Sequence, residues 1–311
     1  MTLRTPALEQ LTVVPVPGHG AEDVLVADDG AVLTGTEDGT IWRVRDDGRQ
    51  LERLGNTGGR PLGLEHLPDG RLLVCDAHRG LLAMDTASGD IEVLTALVHG
   101  QRMLFCNNAA VATDGTIYFS DSSRFHGIER WKADMLENTS SGRLLRRDPD
   151  GTIEVLAEGM RFSNGVALSD DESFVAVAET HGRTVVRRWL TGPAAGATDL
   201  LADDLPGYPD NIARGTDGLT WVTIASPTDP LVERLMTGPK VLRRAAWRLP
   251  EALQPAPKRT ARVIALADDG TVVHDRSLDA SAFHMATGVR EHHGRVWLGS
   301  LVEPAVAVFE V

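Results

Sequence analysis

Short apolar runs alternate with turn residues along this chain, and the alternation recurs as a unit. An apolar strand, an Asp-Gly turn, a second strand, another turn and a third strand follow one another from Asp29-Gly30 (AVLTGTEDGTIWRVRDDG). The same order follows Asp69-Gly70 (RLLVCDAHRGLLAMDTASG), Asp114-Gly115 (TIYFSDSSRF) and Asp217-Gly218 (LTWVTIAS). Degenerate copies sit at Asp170-Asp171 (ESFVAVAETHGRTVVRRWL) and His293-Gly294 (RVWLGSLVEPAVAVFEV). Asp-Gly supplies the positive φ that tight hairpins require, and the flanking Val, Ile, Leu, Trp and Tyr suit strands. Six copies, mostly about 40 to 57 residues apart with one longer gap before the last, predict a single all-β domain over residues 1–311. The period suits a six-bladed β-propeller of four-stranded blades. Two packed β-sandwiches would not give six evenly phased units.

Helical periodicity is confined to two insertions. One follows Phe125 (HGIERWKADMLENTSSG) and the other runs from Pro227 (LVERLMTGPKVLRRAAWRLPEAL). The early segment Leu11 to Val16 (LTVVPV) lies outside the repeats and is placed to close the ring by pairing with the last blade.

Composition narrows the function classes. Hydrophobic residues at 42% and charged residues at 24% are ordinary for a folded globular chain of 311 residues. A net charge of −13 argues against a nucleic-acid surface, which needs clustered Lys and Arg. Residues Met1 to Gln10 show no basic start followed by an apolar run, and no stretch reaches the roughly 20 apolar residues that span a membrane. Cys75 and Cys106 are too few for a disulfide framework and read as buried thiols in a reducing, cytoplasmic setting.

The repeat also places chemistry. Seven positions before each first-strand turn stand Glu22, Leu62, Asn107, Asn164, Asp210 and Ala286. Equivalent inner-strand positions encircle a propeller's axis, so the four polar members should converge. Two carboxylates and two amides are hard oxygen ligands that suit calcium rather than zinc or copper. Each of these residues alone is as well explained by bonds to neighbouring loop backbone; four in register favour a metal. Asp76, His78, Asp121, Glu179 and His181 end or follow second strands and should return to the same face. The insertions emerge there after Ser123 and Ser226. Their apolar residues (Trp131, Met135, Leu136; Leu231, Leu235, Met236, Val241, Leu242) predict short helical lids on the top face over an apolar pocket.

Several segments carry a resemblance: GAEDVLV around Glu22, CNNAAVATDGTIYFSDSS around Asn107, FSNGVALSDDE around Asn164, LPGYPDNIARGTDGLTWV around Asp210, and EHHGRVWLGSL near the end. Together they resemble the calcium-propeller superfamily of senescence-marker-type gluconolactonases, diisopropylfluorophosphatases, paraoxonases and strictosidine-synthase-like proteins, the last branch most closely. The resemblance implies that Glu22, Asn107, Asn164 and Asp210 bind a catalytic calcium ion, with Asp210 as nucleophile or general base. It also allows Asn107 to touch substrate and Asn211 to join the shell. Asn107-Asn108 replaces the Asn-Asp of many relatives. The glutamate that serves condensation in strictosidine synthase aligns with Thr287, near His284, and the proton-relaying histidine pair of paraoxonases has no clear counterpart. His78, His126, His181 and His284 are candidates by position only.

The resulting expectation is a calcium-dependent lactonase or esterase acting on a small, hydrophobic or aromatic molecule. The alternatives are a strictosidine-synthase-like lyase forming a C–C or C–N bond, a non-catalytic calcium-stabilised binding propeller, and a metal-free ligand-binding propeller. The sequence leaves the oligomeric state open.

Overall fold

In the computed structural model, which describes residues 10–247, 254 and 256–311, six four-stranded antiparallel sheets form the blades of a propeller. Residues 1–9, 248–253 and 255, and the side chains of Leu242, Arg244 and Ala245, lie outside the described residues, and the expectations that touch them fall there too. The inner strands are Val24–Val26, Pro61–His66, Cys106–Val111, Ser163–Leu168, Gly207–Arg214 and Ala286–His292. Thr12–Pro15 pairs antiparallel with Val308 to Ala305 and becomes the outermost strand of the sixth blade, closing the ring.

The turns follow from local chemistry. At Asp114-Gly115 the aspartate Oδ1 accepts the Thr116 N–H at 2.8 Å while Gly115 takes φ 87°. Asp29, Asp69 and Asp217 make the same two-residue bond to Ala31, Arg71 and Leu219.

Second strands such as Leu72–Asp76 and Ile117–Asp121 are buried along their whole length, because both faces of a blade are covered by its neighbours. The core is accordingly divided among the gaps between blades. Leu73, Cys75 and Leu81 pack on Cys106, Phe119 and Leu145 between the second and third blades. Trp221 and Val263 pack on Val289 and Leu298 between the fifth and sixth. Val14 and Val16 join Trp297, Val306, Val24 and Val44 where the ring closes. Both cysteines are buried and free.

One irregularity recurs near the axis. Pro61 faces Asp76 and Leu64 faces Val74, so three steps on the inner strand match two on its partner. The same extra residue appears between Cys106 and Ala109, Ser163 and Val166, Pro209 and Ile212, and Ala286 and Val289. Such a bulge re-aims the residues within it. The second residue of each bulged pair, with Asp23 at the matching place in the first blade, reads Asp23, Gly63, Asn108, Gly165, Asn211, Gly288: polar and glycine in strict alternation. The glycines are required by close approach. A Cβ on Gly63 would lie 2.7 Å from Asn108 Cα, one on Gly165 2.0 Å from Ile212 N, and one on Gly288 2.6 Å from Asp23 Cα. Two of the polar residues bind the blade that follows. Asp23 Oδ2 accepts the Leu64 N–H and Asn108 Oδ1 the Val166 N–H, each at 2.9 Å.

Because the groups met at Gly165 are backbone, they cannot yield by a rotamer change. Gly165→Ala should therefore cost about 3 kcal/mol or more in chemical denaturation; a loss under about 1 kcal/mol would mean the axis has slack that the structure does not show.

Candidate active site

The first residue of each bulged pair faces one cavity. Leu62, Asn107, Asn164, Asp210 and Thr287 all line it, joined by Glu22 just ahead of the first inner strand. Thr287, not Ala286, holds the sixth position. His292 pairs with Arg295 around a two-residue turn, shorter than the Asp-Gly loops elsewhere, so counting back from the turn slips by one.

Neighbouring hydroxyls fix the ring side chains. Asn107 Nδ2 donates to Ser122 Oγ at 2.9 Å and Asn164 Nδ2 to Thr180 Oγ1 at 3.1 Å, which leaves both carbonyl oxygens unengaged. Glu22 is held from two sides: Asn211 Nδ2 donates to its Oε1 at 3.1 Å, and Thr287 Oγ1 to its backbone oxygen at 2.7 Å. Glu22 Oε2, Asn107 Oδ1 and Asn164 Oδ1 are buried with no hydrogen-bond partner. Orphaned acceptors in a dry site are costly unless a cation or donor meets them. Among the described residues no group of three or more His, Cys, Asp and Glu side chains is poised for a metal; the donors here mix carboxylates with amides.

Electrostatics add to the same demand. Burial, opposed by the Asn164 hydrogen bond and reinforced by the charge of Asp23, pushes Asp210 up to about 7. Burial also raises Glu22 well above the carboxylate range, with the charges of Asp210 and Asp23 adding to it and Arg60 and Asn211 opposing. Asp23 rises to about 6 through burial, against Arg290 and the Leu64 N–H. Three acidic groups crowd a space with too little positive charge to keep them ionised.

The remaining candidates divide. His181 lines the cavity, and Asn211 touches it through Glu22. Asp76, Asp121 and Glu179 lie at blade shoulders, with side chains committed to structure. Asp76 Oδ1 accepts the His78 and Arg79 N–H groups, Asp121 accepts the Phe105 N–H and pairs with Arg143 at 2.8 Å, and Glu179 accepts the Arg161 N–H at 2.8 Å. His78 is exposed and bonds Glu129, His126 faces Glu137, and His284 bonds Glu303; none of the three lines this cavity.

Sequence reasoning missed the collar above the ring. Two residues before the ring positions stand Phe105, Phe162, Tyr208 and Met285, all in the cavity wall. The same repeat register, read two steps earlier, holds that signal. The insertions cap the collar with three helices, α1 (Trp131–Glu137), α2 (Pro230–Thr237) and α3 (Lys240–Trp247). Met135 of α1 and Val232 and Met236 of α2 pack with Tyr208, whose hydroxyl donates to Glu233 at 2.7 Å. Leu231 and Val241, expected on the inner face, are instead exposed at 58% and 77%. Asp229 caps α2 by accepting the Leu231 and Val232 N–H groups, and that phase turns Val232 inward in place of Leu231. Among the described residues no helix is long and apolar enough to cross a membrane.

The chain is similar to several known proteins. The strictosidine synthase family profile matches residues 107–193, and that of the strictosidine synthase-like N-terminal region matches residues 5–44. Strictosidine synthase-like 6 of Arabidopsis thaliana is 32% identical over 281 residues, spanning 88% of this chain and 74% of that protein. The adipocyte plasma membrane-associated protein of Gallus gallus is 32% identical over 317 residues, spanning 92% and 74%. Among solved structures, a gluconolactonase from Xanthomonas campestris superposes with TM-score 0.69 at 16% identity, covering 96% of this chain and 88% of that one. A calcium-binding regucalcin from Agrobacterium tumefaciens does so with TM-score 0.67 at 12% identity, covering 98% and 95%. At these identities the superpositions show the shared fold.

Carboxyl groups whose folded pKa is raised stabilise the fold fully below the ordinary carboxylate range, and that contribution is lost as pH rises through the folded value. With Asp23 near 6 and Asp210 near 7, chelator-treated protein should lose unfolding temperature as pH rises from about 5 to about 8. Asp210→Asn should flatten that fall. Equal stability at both ends of the range would show that the charges are already compensated within the protein.

Proposed function

The chain belongs to the strictosidine-synthase-like family, and on that premise we propose that it is a calcium-dependent hydrolase of a lactone or related hydrophobic ester. The observation that carries this reading is the trio of buried, unpartnered oxygens (Glu22 Oε2, Asn107 Oδ1, Asn164 Oδ1) on one ring with Asp210. Hard oxygens from two carboxylates and two amides fit calcium, which accepts irregular sets of six to eight such ligands and so leaves places for water and substrate. When bound, the ion would supply a positive charge that polarises a substrate carbonyl.

The chain's own residues supply the rest. The Asp210 carboxylate takes the proton of the attacking water, with the Asn164 amide hydrogen-bonded beside it. Asn107 and Asn164 present their oxygens inward because Ser122 and Thr180 anchor their nitrogens. Thr287 and Asn211 hold Glu22 in the lining of the same cavity, with its second oxygen unpartnered. Phe105, Phe162, Trp131, Met135 and Leu136 close over this floor and favour an apolar acyl or alcohol portion over a free sugar acid. Against a lyase of the synthase type stands Thr287, whose hydroxyl donates to the Glu22 backbone oxygen and is no acid–base group.

Phenyl acetate and δ-valerolactone are suitable probes. Chelation with EDTA should abolish their hydrolysis and lower the unfolding temperature, and added calcium should restore both. Asp210→Asn should lower turnover by about 10²–10⁴-fold while the protein stays folded. Calcium-dependent stability without any hydrolysis would move the reading to a binding propeller; no response of either property to complete metal removal would overturn it.

A further inference from the structure

His181 lines the cavity but has no part in the chemistry above. It follows the second strand of the fourth blade, is 5% exposed, and stacks on Phe162 with ring centroids 4.9 Å apart and planes at 24°. Its Nδ1 is buried without a hydrogen-bond partner, and so is Oδ1 of Asp134, 3.9 Å away on α1. The other oxygen of Asp134 accepts from Ser123 Oγ and from Thr139 Oγ1, so the carboxylate is anchored with its free oxygen near the ring. At this distance the two are not hydrogen-bonded, but the carboxylate charge favours the tautomer with the proton on Nδ1, which leaves the lone pair on Nε2. Burial, with the charge of Arg161 adding, pushes the ring pKa down to about 3, so the imidazole is neutral.

Among the described residues the other polar groups of the upper wall are engaged: Asp229 accepts the Leu231 N–H and pairs with Lys258, and Lys132 lies over the Trp131 ring. The Tyr208 hydroxyl donates to Glu233, Thr180 Oγ1 accepts from Asn164, and Ser226 Oγ accepts the Lys258 N–H. That leaves Nε2 of His181 available to a ligand, on a wall that includes the apolar Phe105, Phe162, Met135 and Leu136.

We infer that this cavity selects an apolar, ring-bearing substrate that carries a hydroxyl or N–H donor, received by Nε2 of His181 and stacked alongside Phe162. A site built around a buried acceptor rejects the analogue that cannot donate, because the acceptor is then desolvated and unpaired. Asp134 is the positioning residue, since it sets which nitrogen carries the proton. The lid therefore takes part in specificity as well as in covering the site. The inference rests on this cavity being the substrate site, but not on hydrolysis taking place there.

Equilibrium dialysis of 2-naphthol against 2-methoxynaphthalene, in calcium-loaded protein, tests it directly. The pair shares shape and ring system and differs in the donor. The protein should prefer the naphthol by about tenfold. His181→Phe should abolish the preference by weakening naphthol alone. Asp134→Asn, whose amide can donate to Nδ1 and move the ring proton to Nε2, should reduce or reverse it; thermal unfolding establishes that both variants fold. Equal binding of the two probes to the unaltered protein, or a preference that survives both substitutions, would overturn the inference even if the protein hydrolyses esters. Discrimination that depends on His181 in a protein without hydrolytic activity would leave the inference standing and sink the hydrolase reading. If neither probe binds, the aromatic-substrate inference fails.

Discussion

Crowding at the propeller axis is the constraint on which the rest depends. At the second position of each bulge the inner strands approach one another too closely for six side chains to share the layer. The chain resolves this by alternating Asp23, Asn108 and Asn211 with Gly63, Gly165 and Gly288. Each glycine lies against the polar residue of the next blade, and Asp23 and Asn108 bond to the backbone of the blade beyond them. This packing carries an approximate threefold pattern through a sixfold ring. It also requires the inner-strand bulge, and the bulge frees the preceding residue to face the cavity. Fold and candidate chemistry thus occupy adjacent residues on one strand with separate duties.

Above that layer the protein changes character abruptly. The floor holds acidic and amide groups with unmet acceptors, whereas the described wall is largely aromatic and aliphatic, with His181, Lys132, Asp229 and a few engaged hydroxyls among it. A floor of this kind under a dry wall strengthens every charge interaction at the bottom of the cavity, because little water screens it. The lid helices are tied down by polar contacts at their margins: Tyr208 to Glu233 on α2, and Arg243 of α3 to the Glu137 backbone at the end of α1, at 2.6 Å.

Much of this was readable in the residues. The Asp-Gly turns at Asp29, Asp69, Asp114 and Asp217 give the period because a hairpin needs positive φ at the same place in each blade, and the ring positions follow by counting from them. Counting failed at the sixth blade, where His293-Gly294 makes a shorter turn and Thr287 replaces Ala286. Asp76, Asp121 and Glu179 end their second strands opposite Pro61, Cys106 and Ser163, yet none lines the cavity. Their side chains were out of reach of pattern reasoning, since whether Asp121 meets a ligand or Arg143 depends on a strand more than 20 residues away. The pairing of Asp134 with His181 joins an insertion to a blade and leaves no periodic trace at all.

The closing strand has a consequence for how the molecule is made. Thr12–Pro15 leaves the ribosome before every inner strand, and its partner in the sixth blade, Ala305–Glu310, leaves after all of them. The first blades can pair and pack on one another during synthesis, because their contacts are between near neighbours in the chain. The strand at the front must meanwhile wait with its edge unpaired, a state that invites contact with other chains. Joining the two ends costs little more for the great length of chain between them, since closure entropy grows only with the logarithm of loop length. Delay, and not distance, is therefore the hazard built into this ring.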